Sequence, residues 1–422
     1  MKRVYHLVTH LRLGAGRYIV DLAVEQLRRG DGVFVCLSGD AEGNWKSDPA
    51  LVAELQKAGV SVIVVGDTFH RNAEGLRAAS RCLKDYARFS TGNSIVHSHT
   101  ATGILVAKWA GAPTVVSTCH GWNPTRPEEQ DLQDAIAFTM ADGITSPSTY
   151  WAERVNRLAG IGNVKVLPYG LDLARYPQDS RPQRKRQVVA RPSPTGRRTP
   201  KGPDEGPPSR APFAKIVCLA ELTVRKGQDI LIAAMPGVWK IHPDVELDFV
   251  GDGDAREALQ TQAHRVDRRE GRIHFRGFIE QPYKLLRNFD LMCLPTRSDN
   301  QPISIVEAML AGLPVVSTTA GGIPEQVAMG SGGICVPPDD VEALADALIT
   351  QLEAGPPGDG HLHGLRRRFD IRMHALELDR WYGSVRQTPA AFCESLGVRS
   401  LPEYVRNRAG SMTGEDRRLP LR

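Results

Sequence analysis

Short apolar runs rich in β-branched residues alternate along this chain with longer stretches in which apolar residues recur at helical spacing. The strand-like runs are 4–8, 33–37, 60–65, 94–97, 114–117, 143–146 and 164–167, then 215–219, 246–250, 273–275, 291–294, 315–317 and 333–336. The helix-like stretches are 19–29, 50–58, 75–89, 228–239, 255–269, 283–288, 302–311 and 341–353. Strands that alternate with helices are typical of parallel sheets covered by helices. The pattern therefore predicts an α/β protein with two Rossmann-like domains facing across a cleft.

A segment of different composition separates the two halves. Residues 181–210 carry nine Lys or Arg, two Asp or Glu and seven prolines. Such a stretch buries too little apolar surface to offset the entropy of ordering it, which predicts a flexible linker. We therefore expect an N-terminal domain over 1–172, a linker insertion over 173–212, a C-terminal domain over 213–365, a helix over 366–386 and a tail over 387–422.

Charge and composition narrow the functional classes. The formal net charge of +5 originates in the 181–210 segment, so the folded parts give no reason to expect a nucleic-acid partner. No apolar run approaches the roughly 20 residues of a membrane-spanning helix, and the first residues lack the apolar core of a secretory signal. These features predict a cytoplasmic protein. Contact of the basic linker with a membrane surface stays open, as does the oligomeric state. The seven cysteines include no C-x-x-C pair, which argues against structural zinc.

Two segments of the first half carry candidate chemistry. Gly14, Gly16 and Arg17 follow the first predicted strand, and the glycines would let a ligand approach the backbone closely. A plain tight turn has the same sequence signature. His120 precedes a glycine at the end of the strand 114–117, where it would face the cleft for hydrogen bonding or proton transfer. A structural histidine is the alternative at that position.

The second half carries more ionic chemistry at the ends of its predicted strands. Arg225 and Lys226 precede a helix, an arrangement suited to a diphosphate, although a solvated turn has the same sequence. Asp299 and Glu307 flank a loop-to-helix junction. The free N–H groups at that helix start are suited to a phosphate, and Glu307 is suited to accept hydrogen bonds from ribose hydroxyls. Gly253 lies in a further strand-end glycine turn.

With these motifs the sequence resembles the retaining glycosyltransferases of the GT-B fold, family 4 type, also described as glycosyl transferases group 1. The family's two acids separated by seven residues, followed by E-A-M-x-x-G-x-P-V-V, match residues 299–316. Its G-R-L-x-x-x-K-G motif matches 220–227, and its P-N-G-V-D junction matches 168–172 with Tyr169 in place of Asn. The resemblance covers about residues 1–385 apart from the insertion.

The resemblance implies that the N-terminal domain binds the acceptor, that the C-terminal domain binds the nucleotide-sugar, and that the helix over 366–386 returns to the N-terminal domain. It also implies a role for each matched residue. Lys226 would neutralise the leaving phosphate, with Arg225 beside it, and Glu307 would bind the nucleotide ribose. His120 and Asp299 would contact the donor sugar. The remaining candidates are the donor and nucleotide contacts Gly253, Phe278, Asn300, Gln301, Pro302, Ile303 and Ser304, and the acceptor and phosphate loop Gly14, Gly16 and Arg17.

The implied reaction moves a sugar, with retention, from a nucleotide-sugar such as a UDP- or GDP-sugar to a hydroxyl of a small-molecule acceptor, natural-product or aminocyclitol-like, or of a glycan. The implied mechanism is front-face attack, in which the acceptor hydroxyl gives its proton to the departing phosphate. We expect no cofactor and no metal, because cationic residues and helix dipoles can stabilise the leaving group. His97 and His99, which alternate at a strand end, are given no metal role.

Two departures from the family pattern keep other interpretations open. Glu221 stands where the family has Arg, and Asp299 is one methylene shorter than the usual Glu. Both fit a different donor sugar or weakened catalysis. The alternatives are a cell-envelope or polysaccharide glycosyltransferase with a lipid-linked acceptor, a GT-B nucleotide-sugar epimerase, and a non-catalytic nucleotide-sugar-binding protein.

Overall fold

The structure, a computed structural model, describes residues 1–40, 43–44, 47–68, 70–89, 93–122, 126–176, 214–268, 271–330, 332–356 and 362–385. The predicted linker beyond residue 176 and the predicted tail lie outside these ranges. Within them, the chain forms two α/β units, each built on a largely parallel sheet.

The first unit contains an eight-stranded sheet with the order β3-β2-β1-β5-β6-β7-β8, in which β4 also pairs with β2. All its pairs are parallel except β2 with β3. Its strands are β1 (Arg3–Val8), β2 (Gly32–Asp40), β3 (Gly43–Asn44), β4 (Ser61–Gly66), β5 (Ser94–Ser98), β6 (Val115–Thr118), β7 (Gly143–Ser146) and β8 (Lys165–Val166). Its helices are α1 (Leu13–Arg28), α2 (Pro49–Ala58), α3 (Ala73–Ala87), α4 (Ala101–Trp109), α5 (Glu128–Met140) and α6 (Thr149–Ala159).

The second unit contains a six-stranded sheet with the order β11-β10-β9-β12-β13-β14, all parallel. Its strands are β9 (Lys215–Leu219), β10 (Glu246–Val250), β11 (Ile273–Phe275), β12 (Leu291–Leu294), β13 (Val315–Thr318) and β14 (Ile334–Val336). Its helices are α7 (Gln228–Ile241), α8 (Arg256–Val266), α9 (Ile303–Leu310), α10 (Ile323–Met329) and α11 (Val341–Ala354). Every residue of β12 and β13 is buried, as expected for a sheet covered on both faces.

The last two helices, α12 (Leu362–Arg368) and α13 (Ile371–Val385), follow the second unit, and α13 packs on the first. The Tyr18 hydroxyl of α1 lies 2.9 Å from Nε2 of His374, and the Tyr382 hydroxyl lies 2.7 Å from Nδ1 of His97. Both tyrosines and both histidines are buried, so these contacts belong to the core of the first unit.

The structure corrects several predicted helices. Helix α1 begins at Leu13 instead of residue 19, so its two early glycines lie in its first turn and not in a loop. The 283–288 stretch forms only two 3₁₀ turns, Pro282–Lys284 and Leu286–Asn288, because so few residues cannot offset the cost of helix nucleation. Helix α4 was not predicted because it is apolar on most of its faces and lacks an amphipathic period.

The predicted α/β class with two Rossmann-like units is confirmed. In the part of the chain that the structure describes, no helix combines the length and the apolar character needed to cross a bilayer.

Candidate functional site

Two cations and a carboxylate meet at the carboxyl end of β9. Arg225 and Lys226 lie in the 3₁₀ turn Val224–Lys226 that leads into α7. The turn closes on Gly227, with φ of 70°, where a Cβ would lie 2.0 Å from the carbonyl oxygen of Pro295 and therefore could not be accommodated. The Lys226 ammonium pairs with the Asp299 carboxylate, and Nη1 of Arg225 lies 3.6 Å from the same oxygen. The structure thus brings together three of the predicted site residues.

Asp299 is the charge that compensates these cations. Burial alone would raise the pKa of its carboxyl, but Lys226 and Arg225 outweigh burial and hold the pKa below its usual value. Asp299 is therefore ionised at neutral pH. A phosphate that reaches Lys226 has to compete with this carboxylate for the ammonium group.

Glu307 lies on α9 and is only 8% exposed. The Tyr176 hydroxyl donates a hydrogen bond to its Oε1 over 3.0 Å. Burial raises the pKa of Glu307 to about 7; the Asp21 carboxylate adds to the rise, whereas the Tyr176 hydrogen bond and Arg17 oppose it. Glu307 is thus partly protonated at neutral pH, and a phenol hydroxyl already occupies one of the oxygens predicted to receive a ribose hydroxyl.

The start of α9 lies against the start of α1. Pro302 precedes the helix, and no side chain caps it, so the backbone N–H groups of Ile303 and Ser304 are available to an anion. A Cβ on Gly14 would lie 3.3 Å from Cβ of Ile303, so the absence of a side chain at Gly14 allows this approach. The two units therefore meet where a donor phosphate was predicted.

Asn300 and Gln301 hold the two units together through their side chains. The Ser148 hydroxyl donates to Oδ1 of Asn300 over 2.6 Å, and Nδ2 of Asn300 donates to the carbonyl of Cys119 over 3.3 Å. The backbone N–H of Tyr169 donates to Oε1 of Gln301 over 2.7 Å. These amides were predicted as donor contacts, and in this arrangement they bind the first unit instead.

Gly16 and Arg17, predicted for the acceptor and phosphate loop, make contacts within the first unit. A Cβ on Gly16 would lie 2.9 Å from the carbonyl carbon of Leu11, so this glycine is required by internal packing. The guanidinium of Arg17 makes a bidentate contact with Glu54 at 2.7 and 2.8 Å and also pairs with Asp21. Because that charge is already compensated, Arg17 is a poor candidate for a phosphate ligand.

Gly253 and Phe278 lie at the carboxyl ends of β10 and β11. A Cβ on Gly253 would lie 2.3 Å from the carbonyl oxygen of Leu222, so the glycine lets the turn pack under the segment that follows β9. The backbone N–H of Gly251 donates to the carbonyl of Gly277 over 2.9 Å and joins the two loops. Phe278 follows this contact and is 67% exposed, which leaves its ring open to a ligand.

His120 is held by hydrogen bonds at both ring nitrogens. Its Nδ1 lies 2.5 Å from the Tyr169 hydroxyl, and its Nε2 lies 2.9 Å from Nδ1 of His99. The contacts continue from Nε2 of His99 to Nδ1 of His6 over 3.0 Å, and from Nε2 of His6 to Oε1 of Gln26 over 2.7 Å. We call this row, from Tyr169 to Gln26, the histidine chain.

The inner end of the histidine chain fixes the protons along it. With the amide oxygen of Gln26 placed towards His6, that oxygen accepts from Nε2–H of His6, and the same orientation of donors then runs through His99 and His120. Burial lowers the pKa of His6 and His120 to about 4. The ring of His120 is therefore neutral with both nitrogens engaged, and the predicted proton-transfer role would require breaking one of these bonds.

His6, His97 and His99 also cluster closely enough to suggest a metal site, since their ligand atoms lie within 4.8 Å of one another. His97 bonds to Thr118 Oγ1 and to the Tyr382 hydroxyl, each over 2.7 Å. With the histidine chain, all six ring nitrogens of the cluster have hydrogen-bond partners. A metal ion would have to displace these bonds, so we assign the cluster to the core.

Several contacts at the site carry no sequence signal of their own. Arg12, which precedes α1, lies 3.7 Å from the Glu221 carboxylate and brings a cation to the position where the family motif has Arg. Glu325 of α10 accepts from the backbone N–H groups of Thr149 and Tyr150 at 2.8 and 2.9 Å and thereby caps α6 of the other unit. These pairs join residues far apart in sequence, so spacing alone could not reveal them.

Comparison with known proteins places these features in a family. A model described as Glycosyltransferase Family 4 matches residues 13–175, and one described as Glycosyl transferases group 1 matches residues 214–354. The chain is 30% identical over 266 residues to a GDP-mannose-dependent monoacylated alpha-(1-6)-phosphatidylinositol monomannoside mannosyltransferase of Corynebacterium glutamicum, which covers 58% of this chain. The match spans 63% of that relative, which is less than two thirds of its length.

Longer matches come from one curated relative and from two solved structures, and the solved structures show the fold alone. Glycogen synthase of Mycobacterium tuberculosis is 25% identical over 392 residues, covering 84% of this chain and 86% of its own. Anabaena HepE, crystallised with UDP and glucose, aligns with a TM-score of 0.65 at 20% identity over 91% of this chain and 100% of its own. Sucrose-phosphate synthase from Thermosynechococcus elongatus aligns with a TM-score of 0.68 at 17% identity, over 91% and 99%. This chain belongs to the family 4-type glycosyltransferases of the GT-B fold.

Proposed function

We propose that this protein transfers a sugar from a nucleoside diphosphate sugar to a hydroxyl of a glycan or lipid-linked acceptor, with retention of the anomeric configuration. The observation that carries the proposal is the placement of Lys226 and Arg225 beside Asp299, next to the uncapped start of α9. Departure of a nucleoside diphosphate builds negative charge on its β-phosphate. Preorganised cations and backbone N–H groups stabilise such charge without reorganising during the reaction.

Glu307 supports the nucleotide half of the proposal. A buried carboxylate on the helix whose start would bind the diphosphate is suited to accept hydrogen bonds from ribose hydroxyls. Its exchange of the Tyr176 hydroxyl for a ribose hydroxyl would keep the carboxylate satisfied. The donor is a UDP- or GDP-sugar: UDP is bound in HepE, and GDP-mannose is the donor named for the mannosyltransferase relative.

Of the acceptors that the sequence left open, the relatives favour a glycan or a lipid-linked acceptor over a small molecule. One relative is named for a phosphatidylinositol monomannoside and another for glycogen. The acceptor hydroxyl would enter from the first unit and attack on the face from which the diphosphate leaves. Because both nitrogens of His120 are engaged, the proton would pass to the departing phosphate and not to this ring.

The first test is a thermal-unfolding panel with UDP, GDP, dTDP, ADP and inorganic phosphate. A ligand that binds only the folded state raises stability by about 2.7 kcal/mol at a concentration 100 times its Kd. We expect one nucleoside diphosphate to raise Tm clearly and phosphate alone to have a smaller effect. The matching mannose or glucose donor is then incubated with glycogen and with a phosphatidylinositol monomannoside, and the product's anomeric configuration is read by NMR.

Two results would contradict the proposal. A well-folded sample whose Tm responds to none of the nucleotides would remove the donor site. A product of inverted configuration would remove the front-face mechanism while leaving the donor site intact.

A further inference from the structure

A cavity of about 900 Å³ lies outside the cleft, between the edge of the first sheet and the C-terminal helices. Its walls are β8 and the segment after it, the exposed face of α12 and one face of α13. None of the predicted donor or acceptor residues lines it. We call this cavity the C-terminal groove.

The C-terminal groove is strongly cationic. Lys165, Arg367, Arg368 and Arg380 line it, against the single carboxylate of Glu377. Glu377 already pairs with Lys165 over 2.9 Å. The three arginines are exposed and have no ion pair or side-chain hydrogen bond with any residue that the structure describes. Their charges therefore remain uncompensated around one cavity.

Apolar side chains lie beside these arginines. Val166 is 38% exposed and Met373 is 44% exposed, although both are large hydrophobic residues. The indole of Trp381 is half-buried in the same wall. His374 closes the floor and adds no charge at neutral pH, because burial lowers its pKa to about 4. The groove thus offers a ligand both guanidinium groups and an apolar surface.

The chain itself supplies no acidic segment to fill the groove. Residues 177–213 contain nine Lys or Arg against three Asp or Glu, and residues 386–422 contain seven against four. Both segments are basic, and so they would repel the arginines. An anion that neutralises the arginines would therefore have to come from outside these two segments.

We propose that the C-terminal groove binds a phosphate group on a ligand that also carries an apolar part, either as a phospholipid headgroup or as a free phosphorylated compound. Guanidinium groups bind phosphate oxygens in bidentate geometry. A group of several guanidinium side chains binds a phosphate dianion better than it binds a single carboxylate. A phosphodiester at the surface of a bilayer presents one negative charge next to acyl chains, which would contact Val166 and Met373. The proposal concerns a second anion site and does not depend on which sugar the cleft transfers.

The test compares two triple variants of the full chain. Arg367→Gln, Arg368→Gln and Arg380→Gln together remove the cations of the groove. Arg77→Gln, Arg81→Gln and Lys84→Gln remove the same net charge from the exposed face of α3 and serve as the matched control. Circular dichroism and Tm first establish that both variants fold like the wild type, as expected for exposed side chains.

The first arm measures sedimentation with vesicles of phosphatidylcholine and with vesicles containing phosphatidylglycerol. The second arm measures by calorimetry the binding of inorganic phosphate and of glycerol 3-phosphate. Any binding of these compounds in the donor cleft is the same in the wild type and in the two variants, because none of the substitutions lies there. If the source is a lipid, the groove variant loses on the order of a hundredfold in partitioning to the anionic vesicles, since each arginine near such a surface contributes about fivefold. If the source is a soluble compound, the loss appears in the second arm.

A loss in either arm that exceeds the loss of the α3 control supports the proposal and identifies the source. Equal behaviour of the groove variant and the control in both arms overturns it. Equal losses from both variants would mean that net charge alone attracts the anion. The proposed glycosyl transfer is unaffected by that outcome, because it is tested through nucleotide binding and product configuration.

Discussion

The two units place very different chemistry at the corresponding ends of their parallel sheets. In the first unit the histidine chain is neutral: it links Tyr169 and His120 to the interior, and burial holds the pKa of its histidines far below neutrality. The charge of Arg17 nearby is compensated by Glu54 and Asp21. In the second unit the side chains are ionic: Lys226 and Arg225 face Asp299. The same fold therefore supports a neutral wall in the first unit, formed by the histidine chain, and a charged wall in the second, formed by Lys226, Arg225 and Asp299.

This difference matches what the two substrates of a glycosyltransferase require. A leaving diphosphate needs fixed positive charge, which is effective where water is excluded. An acceptor hydroxyl needs shape and hydrogen bonds, and a cation beside it would compete for the phosphate. If the comparison is right, changes in the second unit should affect charge-dependent steps, and changes in the first unit should affect folding and geometry.

The largest effect is expected for Lys226→Ala. Loss of a preorganised cation next to the departing phosphate should lower kcat by roughly 10²–10³-fold, as removal of one oxyanion stabiliser does. Lys240→Ala on α7, an exposed lysine with no partner among the described residues, is the matched control and should leave turnover unchanged. Steady-state turnover of the nucleotide-sugar identified in the panel measures both. An undiminished kcat in Lys226→Ala would mean that charge is supplied elsewhere.

The next effect concerns the pH dependence set by Glu307. Its folded pKa of about 7 lies above the ordinary value of 4.5, so the folded state binds more protons between these two values. The contribution of Glu307 to the free energy of unfolding is therefore fully present below about pH 4.5. It is lost as pH rises through 7, by on the order of 3 kcal/mol. Glu307→Gln should lack this decline when the free energy of urea unfolding is measured from pH 5 to 8. Identical pH profiles for the two proteins would show that Glu307 does not titrate there.

A loss of stability of similar size is expected for His99→Ala. The substitution leaves one nitrogen of His6 and one of His120 without a partner in a buried site and opens a cavity, for a cost of about 2–4 kcal/mol. His264→Ala on the exposed face of α8 should cost less than about 0.5 kcal/mol. Denaturant unfolding compares the two. If the two substitutions lower the free energy of unfolding by the same amount, the histidine chain does not stabilise the first unit.

The smallest effect is expected for Arg12 and Glu221. Their ends are 3.7 Å apart and partly exposed, and such pairs typically couple by about 0.2–1 kcal/mol. A double-mutant cycle with Arg12→Ala and Glu221→Ala, measured by nucleoside diphosphate affinity, gives the coupling directly. A coupling several times larger would mean that the pair, and not Lys226 alone, organises the phosphate position.

The sequence predicted the ionic wall better than the neutral one, for a physical reason. Lys226, Asp299 and Glu307 belong to local motifs at strand ends, and a strand–turn–helix unit places such motifs at one edge of the sheet whatever the tertiary detail. The histidine chain joins β1, α1, β5, β6 and the segment after β8, which are distant in sequence. No spacing rule could assemble it, and Tyr176 on Glu307 was missed for the same reason.

Arg17 and Gly16 show a second limit of motif reasoning. Arg17 was assigned to a phosphate loop from its position after two glycines, yet Glu54 and Asp21 already compensate its charge. Gly16 is required by the Leu11 backbone and not by a ligand. A motif predicts where a residue lies, whereas its chemistry depends on partners that only the tertiary structure supplies.

The most direct test of the contrast between the two walls is calorimetric binding of the matching nucleoside diphosphate and of its free nucleoside to the wild type and to Lys226→Ala. Loss of a charged hydrogen bond of about 1.5–3 kcal/mol should weaken the binding of the diphosphate by roughly 10–100-fold and leave the affinity for the nucleoside unchanged. Equal affinities of the two proteins for the diphosphate would contradict the account, because the second unit would then not supply the positive charge on which it rests.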